Sequence, residues 1–496
     1  MKSFVNFCFY TGVGIGILLG LSGCFGVTET GGVSTGIASG EIVYSVPSGY
    51  AGLVTLCYAL PETATDTVSE SSSFQITAGK RFSSRAAGSL AGDEAAVRGA
   101  AAAADDERGH RFHAALRETE QLLCGEPPIA SRGNAPRAVA ETAPAVGDSR
   151  LFYVSVNETF KNVTAECVAV TGETAFWSES GGPALTEEQL NYLTTQFESK
   201  IPTVREKFGR ESDVDGNGRI YVLMAALDDG VFGYFYSVDK YAQSELDRTY
   251  PGLGFRSNEA DIFYVNSNYF AEFETYKTDL AATLVHEMQH MVHFDRRQQN
   301  GMSTVNAWLN EGLSMLCEYY CGYAGPHAGY IAEAFRSVGI SLIESPDTAA
   351  HYGYVLLFLR YLQERFGDSV VTGIYKSPYR GVDAVAESTG TDFNELYADF
   401  CTMILQTGRG VSTDSRYEIP AFNYRDGTDG YAENGFRLAS IVDAEAEKLD
   451  LRFYNRLTVK SMKTYAFVPV RWVNGTVASF TFSSFGASLL IGAYPE

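Results

Sequence analysis

The sequence predicts an α+β protein, with a mixed middle region and β-rich ends. Three observations predict it. Between about 147 and 409, short apolar stretches such as "RLFYVSV", "TAECVAVTGETAFWSE" and "RIYVLMAAL" are interleaved with longer amphipathic runs such as "LTEEQLNYLTTQFESKIPTVREKFG". Outside that region the period is that of strands: "GEIVYSVPSGYAGLVTLCYAL" before it, and "LRFYNRLTVK", "YAFVPVRWV", "SFTFSS" and "SLLIGAY" after it. Hydrophobic residues make up 45% of the 496, enough for more than one packed core.

Taken in order, residues 1–23 read as a signal peptide. Lys2 opens a short n-region, and "FYTGVGIGILLGL" is an apolar h-region too short for a full membrane span. "LSGC", Leu21 to Cys24, resembles a bacterial lipobox. The resemblance implies cleavage before Cys24, lipidation of that cysteine, and an exported chain tethered to a membrane of the cell envelope, periplasmic or surface-exposed. An uncleaved anchor is the competing reading.

Residues 24–146 read as a tether, a β-rich segment and an Ala-rich linker. Positions 25–40 are Gly, Ser and Thr rich, 62–110 turn polar and Ala-rich, and 127–146 are rich in Pro and Ala. Between the last two, "HRFHAALRETEQLL" has the spacing of a short amphipathic helix. The compact domain follows at 147–409. Its first helix is signalled by Thr186 as N-cap with Gln189 at the capping-box position. Further helices are expected at 277–294, 306–322, 352–367 (closed by Gly367) and over "FNELYADFCTMILQT". Residues 410–496 lose helical period and read as a β-sandwich-like module.

Acidic residues outnumber basic ones 60 to 38, a net charge of -22. That disfavours nucleic acid and anionic membrane surfaces as partners, because both need a basic face. Six cysteines remain once Cys8 and Cys24 are set aside, and sequence cannot choose their pairing. Cys317 and Cys321 read as small core residues.

Chemistry concentrates in "LVHEMQHMVHF", residues 284–294. His286, Glu287 and His290 spell H-E-x-x-H. On a helix, positions i and i+4 share a face, so two imidazoles can converge on one Zn²⁺. Glu287 stands beside that pair, where it can take a proton from the attacking water. A third protein ligand is needed, and "WLNEGLSMLCEYY" offers Glu311 on a second helix 21 positions beyond His290. Glu318, seven residues on, shares its face and can orient a ligating histidine. His293 lies about 10 Å along the helix from His286, too far for all three histidines to meet one ion, and reads as a packed or supporting residue.

H-E-x-x-H followed by N-E-G on a second helix resembles the gluzincin metallopeptidases, which include thermolysin and aminopeptidase N. The longer set "DVDGNGRIYVLM", "GYFYSVD", "SNEADIFYVNS", "HEMQHMVHF", "WLNEGLSMLCEYY" and "HYGYVLLFLRYLQERFG" is most similar to the hyicolysin family of bacterial secreted metallopeptidases. The resemblance covers roughly 147–407. It implies a thermolysin-like zincin domain, one zinc held by His286, His290 and Glu311, Glu287 as general base, and a protein or peptide substrate. The aminopeptidase branch carries a Gly-x-Met-Glu-Asn type stretch that is missing here, which favours endoproteolysis. Gluzincins commonly draw an oxyanion donor from downstream, and Tyr352, ahead of His351, is the first choice for it.

"DVDGNGR" offers Asp213, Asp215 and Asn217 at the first ligand positions of a calcium loop, but position twelve is Met224 where a Glu belongs. A tight turn feeding a strand is the alternative. A different function class also stays open: a surface lipoprotein binding module or adhesin that holds zinc without catalysis. Oligomeric state is not readable.

Overall fold

A computed structural model describes residues 34–35, 40–45, 52–61, 63–68, 72–79, 95–97, 104–124, 141–156, 159–325, 327–337, 339–410, 412–423, 436–448, 456–473, 477–482 and 487–495. The signal peptide and Cys24 lie outside them. Strands β1 to β5 are Ser34–Thr35, Gly40–Ser45, Gly52–Pro61, Ser72–Gly79 and Ala95–Val97. Helix α1 is Ala104–Leu123. Strands β6, β7 and β8 (Ser149–Val156, Thr159–Val170, Thr174–Glu179) precede α2 (Glu187–Phe208), and β9 (Ile220–Ala225), β10 (Gly233–Phe235), α3 (Gln243–Thr249) and β11 (Ile262–Asn266) follow. Seven helices come next: α4 Phe273–Gln299, α5 Ala307–Tyr320, α6 His327–Arg336, α7 Ala349–Phe366, α8 Asp368–Lys376, α9 Gly381–Thr389 and α10 Phe393–Gln406. The chain closes with α11 (Leu438–Lys448) and β12 to β15 (Arg456–Met462, Phe467–Val473, Val477–Phe482, Ala487–Pro495).

The α+β class is as expected, but the division of the chain is not the linear one. One compact unit gathers 1–100, 332–342 and 391–496; the other holds 101–331 and 343–390. The boundaries expected at 146/147 and 409/410 are therefore displaced. The reason is strand pairing across the sequence. In the first unit β3 lies between β15 and β13, giving a four-stranded sheet β1-β15-β3-β13, and a five-stranded sheet runs β2-β14-β4-β12-β5. The β-rich ends, read separately as two modules, share both sheets. β4 lies within the stretch read as linker, α10 groups with the strands, and α11 falls where no helical period was seen. Conversely, α1 belongs to the second unit.

In that second unit the sheet order is β10-β11-β9-β8-β7-β6. β9 pairs in parallel with β8 and β11, while β10 runs antiparallel to β11 at the edge. β9 and β11 are buried along their whole length, which explains their unbroken apolar runs. α2 starts at the expected capping box, with both reciprocal bonds between Thr186 and Gln189 present. Its inner face, Leu193, Phe197, Ile201, Val204 and Phe208, is buried. α4 packs against α2, α5, β10 and β11, and of its 27 residues every one from Leu284 to Asp295 is buried. An amphipathic surface helix does not do that. Among the described residues no helix is long and apolar enough to cross a membrane.

Candidate active site

α4 and α5 run side by side, and their contact brings the motif residues together. His286 Nε2 and His290 Nε2 are 3.1 Å apart. Glu311 Oε2 lies 3.4 Å from the first and 3.5 Å from the second. Three donor atoms each about 2.0–2.2 Å from a tetrahedral ion stand about 3.3–3.6 Å from one another. The triangle therefore fits one zinc-sized cation, and the donor set of two imidazoles and a carboxylate suits zinc. His286, His290 and Glu311 are at most 8% exposed. A buried carboxylate beside two imidazoles makes physical sense as a ligand set and little sense as ordinary core.

Each imidazole is held by its other nitrogen. His286 Nδ1 sits 2.7 Å from Glu318 Oε1. An ionised carboxylate only accepts, so Nδ1 carries the proton and the Nε2 lone pair faces the site. Glu318 Oε2 is in turn 3.1 Å from Nε2 of the buried His327. Burial opposes charge on Glu318, yet His286 and His327 hold its carboxyl down at about 2. His290 Nδ1 lies 3.3 Å from Asn310 Oδ1 and 3.2 Å from Ser314 Oγ, which likewise turns Nε2 inward. With no cation between them, burial works against charge on both imidazoles, Glu311 and Glu318 raise His286 and Arg117 helps hold His290 down; a cation bound at Nε2 takes the place of a proton there.

Glu287 is 1% exposed and points to the side of the histidine pair. Its Oε2 accepts the Phe235 backbone N–H at 2.8 Å, from the edge strand β10. Burial lifts this carboxyl to about 7, against the pull of His286 and Arg117.

Tyr352, near the start of α7, is buried and lies within electrostatic reach of Glu311, Arg117 and Glu287. His351 turns elsewhere: its Nδ1 is 2.6 Å from Asp347 and its Nε2 3.4 Å from Glu344. Of the two oxyanion candidates, the structure brings Tyr352 to the site. His293 is buried outside the ligand triangle, and both its ring nitrogens lack a hydrogen-bond partner among the described residues.

Asp213, Asp215 and Asp261 also cluster closely enough to hold a cation. Their oxygens are already engaged by the chain itself. Asn217 Nδ2 donates to Asp215 at 2.7 Å, Val214 N–H to Asp261 at 2.7 Å, Gly218 N–H to Asp213, and Lys240 pairs with Asp261. Asn217 thus faces Asp215 as a donor, and Met224 lies buried in β9. The tight turn feeding a strand accounts for what is seen. Cys124, Cys167, Cys317, Cys321 and Cys401 are buried free thiols.

Four residues near the site were not found in the sequence: Arg117 and Glu120 on α1, Asn310, and His327. Arg117 Nε is 3.5 Å from Glu311 Oε1. Asn310 Nδ2 donates to Glu120 Oε2 at 3.0 Å while its Oδ1 supports His290. The signal for α1 was present in "HRFHAALRETE", where His113, Arg117 and Glu120 recur at intervals of four and three.

No family model matches the chain. Over 229 residues, 40% of this chain and 48% of the relative, it is 28% identical to a neutral metalloprotease, ShpI, of Staphylococcus hyicus. The match spans about half of that relative's length. A metallopeptidase relative and a buried His–His–Glu triangle of zinc dimensions support the same conclusion, that this chain is similar to metalloproteases and holds a group of residues able to bind a metal.

Proposed function

We propose that the protein is a zinc endopeptidase of gluzincin type that hydrolyses extracytoplasmic proteins, anchored to a membrane through lipid on Cys24. The observation that carries the reading is the triangle of His286 Nε2, His290 Nε2 and Glu311 Oε2 with Glu287 beside it. When bound there, a zinc ion supplies Lewis-acid chemistry that makes a water acidic near neutral pH. Glu287 takes that water's proton on a carboxylate oxygen and returns it to the amine nitrogen of the leaving peptide. The Tyr352 hydroxyl donates to the carbonyl oxygen as negative charge develops on it. Glu318 and Asn310 keep both imidazoles in the tautomer with Nε2 free. A zincin fold accommodates these roles, with β10 as the edge strand nearest Glu287.

The test compares full-length chain with Glu287→Gln and His290→Ala, measuring zinc by mass spectrometry and casein cleavage on the same samples. One zinc per chain in wild type and in Glu287→Gln, with cleavage only in wild type, supports the proposal. Full activity in Glu287→Gln removes the base assignment, zinc without cleavage in a folded wild type favours the binding-module reading, and a folded wild type without zinc overturns the zinc site.

A further inference from the structure

We infer that α1 is an inhibitory helix that occupies the substrate cleft of this same site. The inference rests on the peptidase reading. In the antiparallel edge strand β10, Phe235 turns both backbone groups away from β11. Its N–H is taken by Glu287, and its C=O accepts from Arg117 Nη2 at 3.5 Å. That free edge is where an extended peptide adds to a sheet by main-chain hydrogen bonds. α1 lies over it. Along one face of the helix, Gly109 sits so close to the 230 loop that a Cβ there would stand 2.3 Å from Gly230 O. Phe112 packs edge-on to Tyr234 of β10 with centroids 5.1 Å apart. The next residue, His113, one turn beyond Gly109, lies within electrostatic reach of Glu311, His286 and His290.

Arg117 then bridges the cleft. It reaches Phe235 on one wall and Glu311 on the other, and its Nη1 is 2.7 Å from Glu120 Oε1. Glu120 is itself bonded to Asn310 of α5. Arg117 and Glu120 are only 2% and 1% exposed. The consequence is that Glu287, His290 and Glu311 are at most 1% exposed, so a polypeptide has no way to the reacting centre while α1 is in place. Charge complementarity holds the helix there: a cation set against the ligand carboxylate, with its own acidic partner one turn away. The stretches on either side, 81–103 and 125–140, are rich in Ala, Gly and Ser or Pro and contain arginines.

The experiment uses the full chain with recognition sequences for a site-specific protease inserted after Arg98, beyond β5, and after Arg132. It reads release of 104–123 by size exclusion and mass spectrometry, the rate of zinc extraction by a chelator, and casein cleavage. Release of α1 should raise both rates at least tenfold. A synthetic 104–123 peptide should suppress both again, while the same peptide carrying Arg117→Ala should not. The intact Arg117→Ala chain should show the faster extraction without any cut. If α1 is released and extraction is no faster, or if release abolishes an activity that the uncut chain possesses, the inference falls. Faster extraction with no casein turnover in any form would retain the occlusion and overturn the peptidase reading instead. Should Arg117→Ala fail to fold, the cut wild-type chain decides alone.

Discussion

Glu318 makes no contact with the metal position, yet its removal should weaken metal binding strongly. Its two oxygens tie His286 Nδ1 at 2.7 Å and His327 Nε2 at 3.1 Å, all three groups being buried. Glu318→Gln keeps the shape and an acceptor for His286 Nδ1 but loses the charge that makes the imidazole a better donor. Glu318→Ala loses the acceptor as well and leaves two buried ring nitrogens unpaired. Partners of this kind are worth about 10–100-fold in metal affinity, or about 1.4–2.7 kcal/mol. Gln should fall near the lower figure and Ala near the upper. The assay is competition with a chromophoric zinc chelator at fixed pH, with circular dichroism to show that each variant folds. Affinity within twofold of wild type in Glu318→Ala would refute the argument, because then the His286 tautomer is set by something other than this carboxylate.

Three further perturbations test the scaffold. The Lys240 side chain is 3% exposed, contacts Asp261 and lies 2.8 Å from Asp295 Oδ2; Lys240→Met strands two buried carboxylates and should cost about 3–5 kcal/mol in urea unfolding at pH 8. The cost should shrink at pH 5, where those carboxyls can protonate. Asp239 is lifted to about 7 by burial, against hydrogen bonds from Tyr264 and Asn258, whereas an unfolded aspartate titrates near 3.9. The folded chain therefore binds more protons between about pH 4 and 7, so this group stabilises the fold below that window and the contribution, on the order of 4 kcal/mol, is lost as pH rises through it. Asp239→Asn should flatten that part of the stability profile, and an unchanged slope would count against the burial argument. A Cβ at Gly353 would stand 1.9 Å from the backbone oxygen of Tyr330, so Gly353→Ala should lower the thermal midpoint through about 1–3 kcal/mol of overpacking and reduce turnover by shifting the adjacent Tyr352.

Much of the site was legible in the sequence because its chemistry is local. An i, i+4 pair of histidines on a helix needs no tertiary information to share a face, and Glu311 could be chosen because a carboxylate in an apolar helix demands a reason. The helix bearing Thr186 and Gln189 was legible for the same reason, since a cap is written within four residues. What escaped was long-range. That Arg117 meets Glu311 depends on a separation of 194 positions along the chain, and no period or motif encodes it. His327 belongs to α6, whose ten residues are too few for a clear helical signature. The two β-rich ends were each read correctly as strands, but strand period says nothing about the partner. β3 and β15 carry ordinary alternation, and only pairing from Ala487 with Pro61 to Pro495 with Leu53 reveals that the ends belong together.

That pairing has a consequence for how the chain comes into being. β3 cannot complete its sheet until β13 and β15 exist, and those are the last segments to be synthesised. Unit 101–331 with 343–390 needs no such wait. During synthesis the histidine-bearing half can therefore acquire its structure while the amino-terminal strands are still without mates, and the strand-rich half closes late, as contacts of high sequence separation do. The same closure makes the two ends a clasp. A cut anywhere between residues 80 and 104 would divide the backbone, yet Gly52–Pro61 would remain laced between Phe467–Val473 and Ala487–Pro495, so the two pieces would stay joined after the covalent thread is gone.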